Sequence, residues 1–181
     1  LQEDVFYYLT LYNENYPMPS LVEIAEQTEV DEGEVLQGVI DGGYCFYRGS
    51  DRTECSVHIL ASGSIMQQAL LARDALEDLG VGVSIWSITS FVELQRDALA
   101  CQQHNRDNPQ AEARASRLER MFQDETGVFI AVTDYMAALA QGVAAWMPPN
   151  FEVLGTDGYG LSESRTRLRQ HFSVDAMACL L

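Results

Sequence analysis

From residue 55 onward, short apolar runs alternate with helical patterns, and that alternation limits the folds open to the chain. Cys55–Leu60 reads as a strand. It is followed by the turn Ala61-Ser62-Gly63-Ser64 and by apolar residues at helical spacing, Ile65, Ala69, Leu70, Ala72, Leu76 and Leu79, closed by Gly80. Val81–Ile88 is the next strand, and Thr89-Ser90 caps a helix carrying Phe91, Leu94, Ala98 and Leu99. Gly127–Asp134 is a further strand ending in a cap. Tyr135–Trp146 is an alanine-rich helix stopped by Pro148-Pro149, and Phe151–Leu154 is a last short strand. Such a series predicts an α/β fold of three layers: a mostly parallel sheet of about five strands, helices on both faces and right-handed crossovers. One antiparallel edge strand is expected from Tyr44–Arg48, which with Cys55–Leu60 flanks Gly49-Ser50-Asp51-Arg52 in the manner of a hairpin.

The segments around this series are less regular. Val5–Tyr12, rich in aromatic and β-branched residues, predicts a buried strand. Asn13-Glu14-Asn15-Tyr16 follows, either a site or an Asx-type turn, and Pro17-Met18-Pro19 ends any regular element. Residues 20–40 read as an acidic connecting helix with Asp31 as a cap. Residues 105–123 are polar and are expected to cross the surface, and Val174–Leu181 begins one more apolar element.

The stretch after the last strand is the most distinctive. Leu154-Gly155-Thr156-Asp157-Gly158-Tyr159-Gly160-Leu161-Ser162-Glu163-Ser164-Arg165 reads as a strand end, a glycine-rich loop and a helix beginning at Ser162, with Arg165, Arg167 and Arg169 on it. Ser162 is the expected cap and Glu163 suits the positive end of the helix dipole. Loops at the carboxyl ends of strands are where open α/β sheets place function; the other reading is a tight turn whose glycines save space.

Composition removes several classes of function. A formal charge of −16 over 181 residues argues against nucleic acid and against an anionic membrane surface. All 11 basic residues are arginine, so neither a Schiff-base lysine nor a phosphate-loop lysine exists. The patterns G-x-G-x-x-G, G-x-x-x-x-G-K-[ST] and G-x-S-x-G are absent. No apolar run is long enough to span a membrane, and no amino-terminal pattern suggests secretion. The four cysteines (Cys45, Cys55, Cys101, Cys179) lack C-x-x-C spacing and fit reduced thiols in a cytoplasmic protein. Cys101 and His104 are three apart on one helix, but no second pair lies near to complete a metal site. His58 reads as a satisfied core residue and His171 as a histidine at a helix carboxyl terminus. A start without methionine and an end inside an apolar run suggest a domain cut from a longer polypeptide.

Several motifs occur together and in order: Tyr8–Tyr16 (YLTLYNENY), Ala61-Ser62-Gly63-Ser64, Ser87–Leu94 with Arg96-Asp97, Thr133-Asp134-Tyr135-Met136, and Val153–His171 with Phe172–Ala176. In these the chain resembles the carboxyl-terminal domain of transketolase-like thiamine diphosphate enzymes, and more narrowly the homodimeric bacterial pyruvate dehydrogenase branch. The resemblance implies that residues 1–16 are the tail of a preceding pyrimidine-binding domain and 17–43 a linker with an acidic helix. Residues 44–181 would be the third domain, truncated at its carboxyl terminus. It implies a thiamine diphosphate- and Mg2+-dependent enzyme that decarboxylates pyruvate and reductively acetylates the lipoamide of a dihydrolipoyl acyltransferase. This stretch would bind no cofactor by itself, would be inactive alone, and would support a dimer with a second identical subunit and the rim of the active site. Asn13, Glu14 and Tyr16 are the implied rim residues. Gly155, Thr156, Asp157, Tyr159, Ser162, Arg165 and His171 belong to the implied loop and interface motif. Some relatives carry histidine where this chain has Pro17, which can neither donate nor shuttle a proton. The alternatives are a non-catalytic α/β interaction module or a homodimeric dehydrogenase of another 2-oxoacid.

Overall fold

A computed structural model describes residues 13–49 and 56–180 without a break, together with Asp4, Phe6, Tyr7, Leu9 and Leu11. Its centre is one sheet of five strands: β1 (Gly43–Arg48), β2 (Ser56–Ala61), β3 (Gly82–Ile88), β4 (Val128–Val132) and β5 (Phe151–Leu154). Their spatial order is β1-β3-β2-β4-β5. All neighbours are parallel except β1, which runs antiparallel to β3 at one edge. The α/β class and the single antiparallel edge strand are as the alternation predicted.

β2 is central because both its faces are apolar. Ile59, Leu60 and Ala61 are fully buried, a pattern that suits a strand with parallel neighbours on each side. Successive residues point to opposite faces, so β2 feeds two cores. Leu60 joins Trp86, Phe91, Leu94, Leu118, Phe122 and Phe129 on one face. Ile59 and Ala61 join Ile65, Ala69, Leu76, Ile85, Val132 and Val174 on the other. Each buried Val, Leu, Ile or Phe among them stabilises the fold by about 1.5–3 kcal/mol through burial.

The expected hairpin is not formed. β1 pairs with β3, so β3 lies between the two strands that flank the Gly49–Arg52 turn; Ser50–Cys55 lie outside the described residues. A turn signature between two apolar runs reports a change of direction and does not report adjacency. The doubly buried β2 needs the interior of the sheet, and half-buried β1 takes the edge. Of the strand expected at Val5–Tyr12, the described residues show no part. Val5, Tyr8, Thr10 and Tyr12 lie outside the described residues, whereas Phe6, Tyr7, Leu9 and Leu11 are in no strand and are 78% to 92% exposed. Strand propensity is a fit to a pleated, half-buried surface, and no described strand pairs with this stretch.

The helices follow their caps. Residues 20–40 hold two helices where one was expected, α1 (Leu21–Thr28) and α2 (Glu32–Asp41). Ser20 and Glu23 form a capping box on the first; left-handed Glu29 (φ 57°) ends it, and Asp31 caps the second at Gly33 N. α3 (Met66–Asp78) is entered through a 3₁₀ turn at Gly63–Ile65 and is followed by Gly80 at φ 80°. Ser90 caps α4 (Phe91–Asp107) by accepting from Glu93 N. The polar stretch 105–123 does more than cross the surface. Ser116 and Glu119 form a second capping box that starts α5 (Arg117–Phe122), and Leu118 and Phe122 enter the core. The alanine-rich helix is shorter than its pattern: α6 spans Ala137–Gln141, Gly142 ends it, and a 3₁₀ turn at Ala144–Trp146 follows. α7 (Arg165–His171) and a 3₁₀ turn at Ala178–Leu180, with Cys179 buried, complete the chain; Leu181 lies outside the described residues. Among the described residues no helix is long and apolar enough to cross a membrane.

Candidate functional site

The strand order sets the location of the site. β3 lies on one side of β2 and β4 on the other, so the chain changes winding direction between β2 and β4. At such a switch point the loops leaving two neighbouring strands diverge and leave a crevice at their carboxyl ends. Here the loops after β2, β4 and β5 line one.

Short polar side chains tie these loops together. Thr133, fully buried at the end of β4, accepts from Ser62 Oγ at 3.1 Å and from Tyr135 N at 3.2 Å. Ser64 Oγ donates to Asp134 Oδ2 at 2.8 Å. The third loop is fastened by Thr156, whose Oγ1 donates to the Asp134 carbonyl and whose N–H donates to the Tyr135 carbonyl at 2.9 Å. Asp157 Oδ1 accepts from Ala137 N at 3.0 Å, so the first amide of α6 is capped from a different loop. Gly155 permits this approach: a Cβ there would lie 2.5 Å from Ala137 N and 2.9 Å from the Tyr135 carbonyl. The glycine at 155 saves space, and the loop it begins lines the crevice.

α7 brings two guanidinium groups to this crevice. Arg165 and Arg169 are four residues apart and share a helix face. Arg169 is only 8% exposed. Its Nη2 donates to Glu14 Oε2 at 2.8 Å and to Ser64 Oγ at 3.3 Å, and its Nη1 donates to Glu14 Oε1 at 3.3 Å. Arg165 Nη2 donates to Asn13 Oδ1 at 2.6 Å, and its Nε lies 3.4 Å from Glu14 Oε2. The crevice has a volume of 370 Å³, and Leu161, Leu168, Phe172 and Val174 supply its apolar lining.

Of the residues singled out by sequence, Asn13, Glu14, Thr156, Tyr159 and Arg165 meet at this crevice, and Gly155 and Asp157 shape it. Tyr159 stands at its mouth, 94% exposed. Tyr16 and Pro17 do not belong to it; they line a separate apolar groove of 710 Å³ with Met18, Ile24, Phe46 and Met66. Ser162 is exposed and caps nothing. The helix begins three residues later, with Ser164 in the N-cap position but without a side-chain bond, and Glu163 Oε1 accepts from Ser164 N at 2.8 Å. His171 is exposed in the last turn of α7, edge-on to Phe172 at 4.9 Å. His58 is buried and satisfied. Trp86 Nε1 donates to its Nδ1 at 3.3 Å, its Nε2 faces the Thr126 carbonyl at 3.1 Å, and Phe129 stacks on its ring at 4.5 Å. Indole can only donate and a carbonyl can only accept, so the ring is neutral with its proton on Nε2. Cys101 and His104 make separate contacts, with Asp97 and Asn108, and no cluster of three or more metal-ligating side chains occurs among the described residues. Reading the sequence missed Arg169, Ser64 and Asp134 as members of the site. The available signal was the four-residue spacing of Arg165 and Arg169 and the small polar residues just past two strands.

A mostly parallel sheet covered on both faces, with loops converging outside its carboxyl edge, defines an α/β domain of the doubly wound type. Residues 42–175 match the family described as the transketolase-like TK C-terminal domain, and the chain belongs to that family. It is 38% identical over 176 residues to the pyruvate dehydrogenase E1 component of Pseudomonas aeruginosa, covering 96% of this chain and 19% of that protein. To the protein of the same name from Escherichia coli K12 it is 39% identical over 177 residues, 97% of this chain and 18% of the relative. The chain therefore spans under a fifth of the length of these relatives. Among solved structures, Campylobacter jejuni transketolase superposes with a TM-score of 0.51 at 21% identity, over 77% of this chain and 18% of that one. Transketolase from Leishmania mexicana gives 0.50 at 19% identity, over 80% and 18%. These two likenesses concern the fold.

Proposed function

We propose that this chain is the third, carboxyl-terminal domain of a thiamine diphosphate- and Mg2+-dependent pyruvate dehydrogenase of the cytoplasm. In this reading the whole enzyme decarboxylates pyruvate and passes the acetyl group to the lipoamide of a dihydrolipoyl acyltransferase. The observation that carries it is the alignment along 96–97% of this chain with relatives named pyruvate dehydrogenase E1 component. Residues 1–16 are assigned to the tail of a preceding pyrimidine-binding domain, 17–43 to the linker and its acidic helices, and 44–181 to the third domain. The exposure of Phe6, Tyr7, Leu9 and Leu11 supports this division, since four large apolar side chains in one short stretch call for a cover.

This reading assigns the binding of the cofactor to the rest of the enzyme rather than to this chain. Lysine is absent, and among the described residues no three acids, histidines or cysteines converge on a metal. The contribution assigned here is shape: support for a dimer with a second identical subunit, and an active-site rim to which Asn13, Glu14 and Tyr16 belong. Glu14 has both oxygens engaged by Arg169, so its role is to hold the rim in place rather than to move a proton.

The test is a pyruvate-dependent decarboxylation assay with thiamine diphosphate and Mg2+, run on a full-length protein containing this chain and on the chain alone. Turnover by the longer protein only is the expected result. A full-length protein that binds no thiamine diphosphate and consumes no 2-oxoacid would overturn the assignment in favour of an interaction module; one that consumes a 2-oxoacid other than pyruvate would overturn the substrate.

A further inference from the structure

We infer that the switch-point crevice is a carboxylate-binding seat, filled in this chain by its own Glu14. Arg165 and Arg169 place two like charges one helical turn apart, and Arg169 is withdrawn from water. A buried guanidinium without an anion is strongly destabilising, so the crevice requires a carboxylate at the place where Glu14 sits. The two Nη atoms of Arg169 and Nε of Arg165 converge on the two oxygens of that one group. Asp134 does not replace it, because it reaches Arg169 only through the Ser64 hydroxyl.

Two observations mark this as a seat for a ligand rather than an ordinary ion pair. Nε of Arg169 is buried and has no hydrogen-bond partner, so the guanidinium retains an unused donor, and the crevice that Arg169 lines still has a volume of 370 Å³. The crevice also lies where doubly wound sheets take their ligands, outside the carboxyl ends of strands at a reversal of winding. The occupant comes from a stretch in neither helix nor strand, so Glu14 can leave without unpairing the sheet. A small carboxylate of the size of acetate fits the same donors once Glu14 is removed.

The inference does not rest on the enzymatic assignment, and its test uses neither substrate nor cofactor. The chain is compared with Glu14→Ala and Glu14→Ala/Arg169→Met by thermal unfolding in sodium acetate, with sodium chloride at equal ionic strength as the control. Glu14→Ala is expected to lower Tm by about 6–20 °C. Acetate is expected to restore at least half of that loss in a saturable way that chloride does not match, and to leave the double variant unmoved. Wild type, with its seat filled, shows no saturable response. Equal effects of acetate and chloride on Glu14→Ala, or an equal acetate response in the double variant, would overturn the proposal. Should Glu14→Ala not fold, Glu14→Gln keeps the side-chain shape without the charge and is judged by the same criterion.

Discussion

Trp86 donates its indole N–H to His58 across the interface of β3 and β2, in a core that is otherwise aromatic and aliphatic. The histidine thereby satisfies two polar groups at once, the indole and the Thr126 carbonyl. Replacing His58 with leucine leaves the buried indole N–H of Trp86 without an acceptor and removes the partner of the exposed Thr126 residue's carbonyl. A loss of about 2–4 kcal/mol is expected, measured as a lowered urea midpoint at unchanged m-value. Nitrogen NMR on the wild type is expected to show the proton on Nε2.

The glycines of the Gly155–Gly160 loop are predicted to differ sharply. The three atoms nearest to a methyl group at Gly155 are backbone atoms of Tyr135 and Ala137, which cannot rotate away. Gly155→Ala should cost about 1–3 kcal/mol by overpacking and weaken the cap that Asp157 gives α6. Gly158 has open space but φ 107°, so alanine there costs about 1 kcal/mol in backbone strain alone. Gly160→Ala, in open space without positive φ, should be neutral within about 0.5 kcal/mol. Denaturation midpoints that fail to rank in this order would contradict the account of the loop.

Ser116 is fully buried and anchors the capping box of α5. Ser116→Ala is expected to cost about 1–2 kcal/mol, and Ser116→Thr to retain most of the stability. Hydrogen exchange should report the loss locally, at the amide of Glu119, which donates to the Ser116 hydroxyl.

The thiols bear on alkaline stability. Burial pushes Cys45 up to about 11 and Cys179 up to about 12, from an ordinary value of 9.0. Between pH 9 and these values the unfolded chain releases thiol protons that the folded chain keeps. Stability from this source is therefore complete below about pH 9 and falls as pH rises. The double variant Cys45→Ala/Cys179→Ala should show a shallower decline of stability between pH 9 and 11. At pH 8 a thiol reagent should label the partly exposed Cys101 in the native protein, and Cys45 and Cys179 only on unfolding.

The sequence by itself determined what is local or periodic. The alternation of strand and helix fixed the α/β class, and Asp31 and Ser90 announced helix starts where they occur. It also carried the family motifs and the loop after β5. Three things were decided only by tertiary structure. β1 chose β3 as its partner although β2 follows it in sequence, because a doubly apolar strand takes the interior. Leu118 and Phe122 were drawn out of a polar stretch into the core once α4 and the sheet left a space for them. Arg169 found Glu14 from 155 positions away. Period and capping act over a few residues and are written in each segment, whereas strand neighbours and charge partners depend on which surfaces remain to be covered when all the segments have been placed.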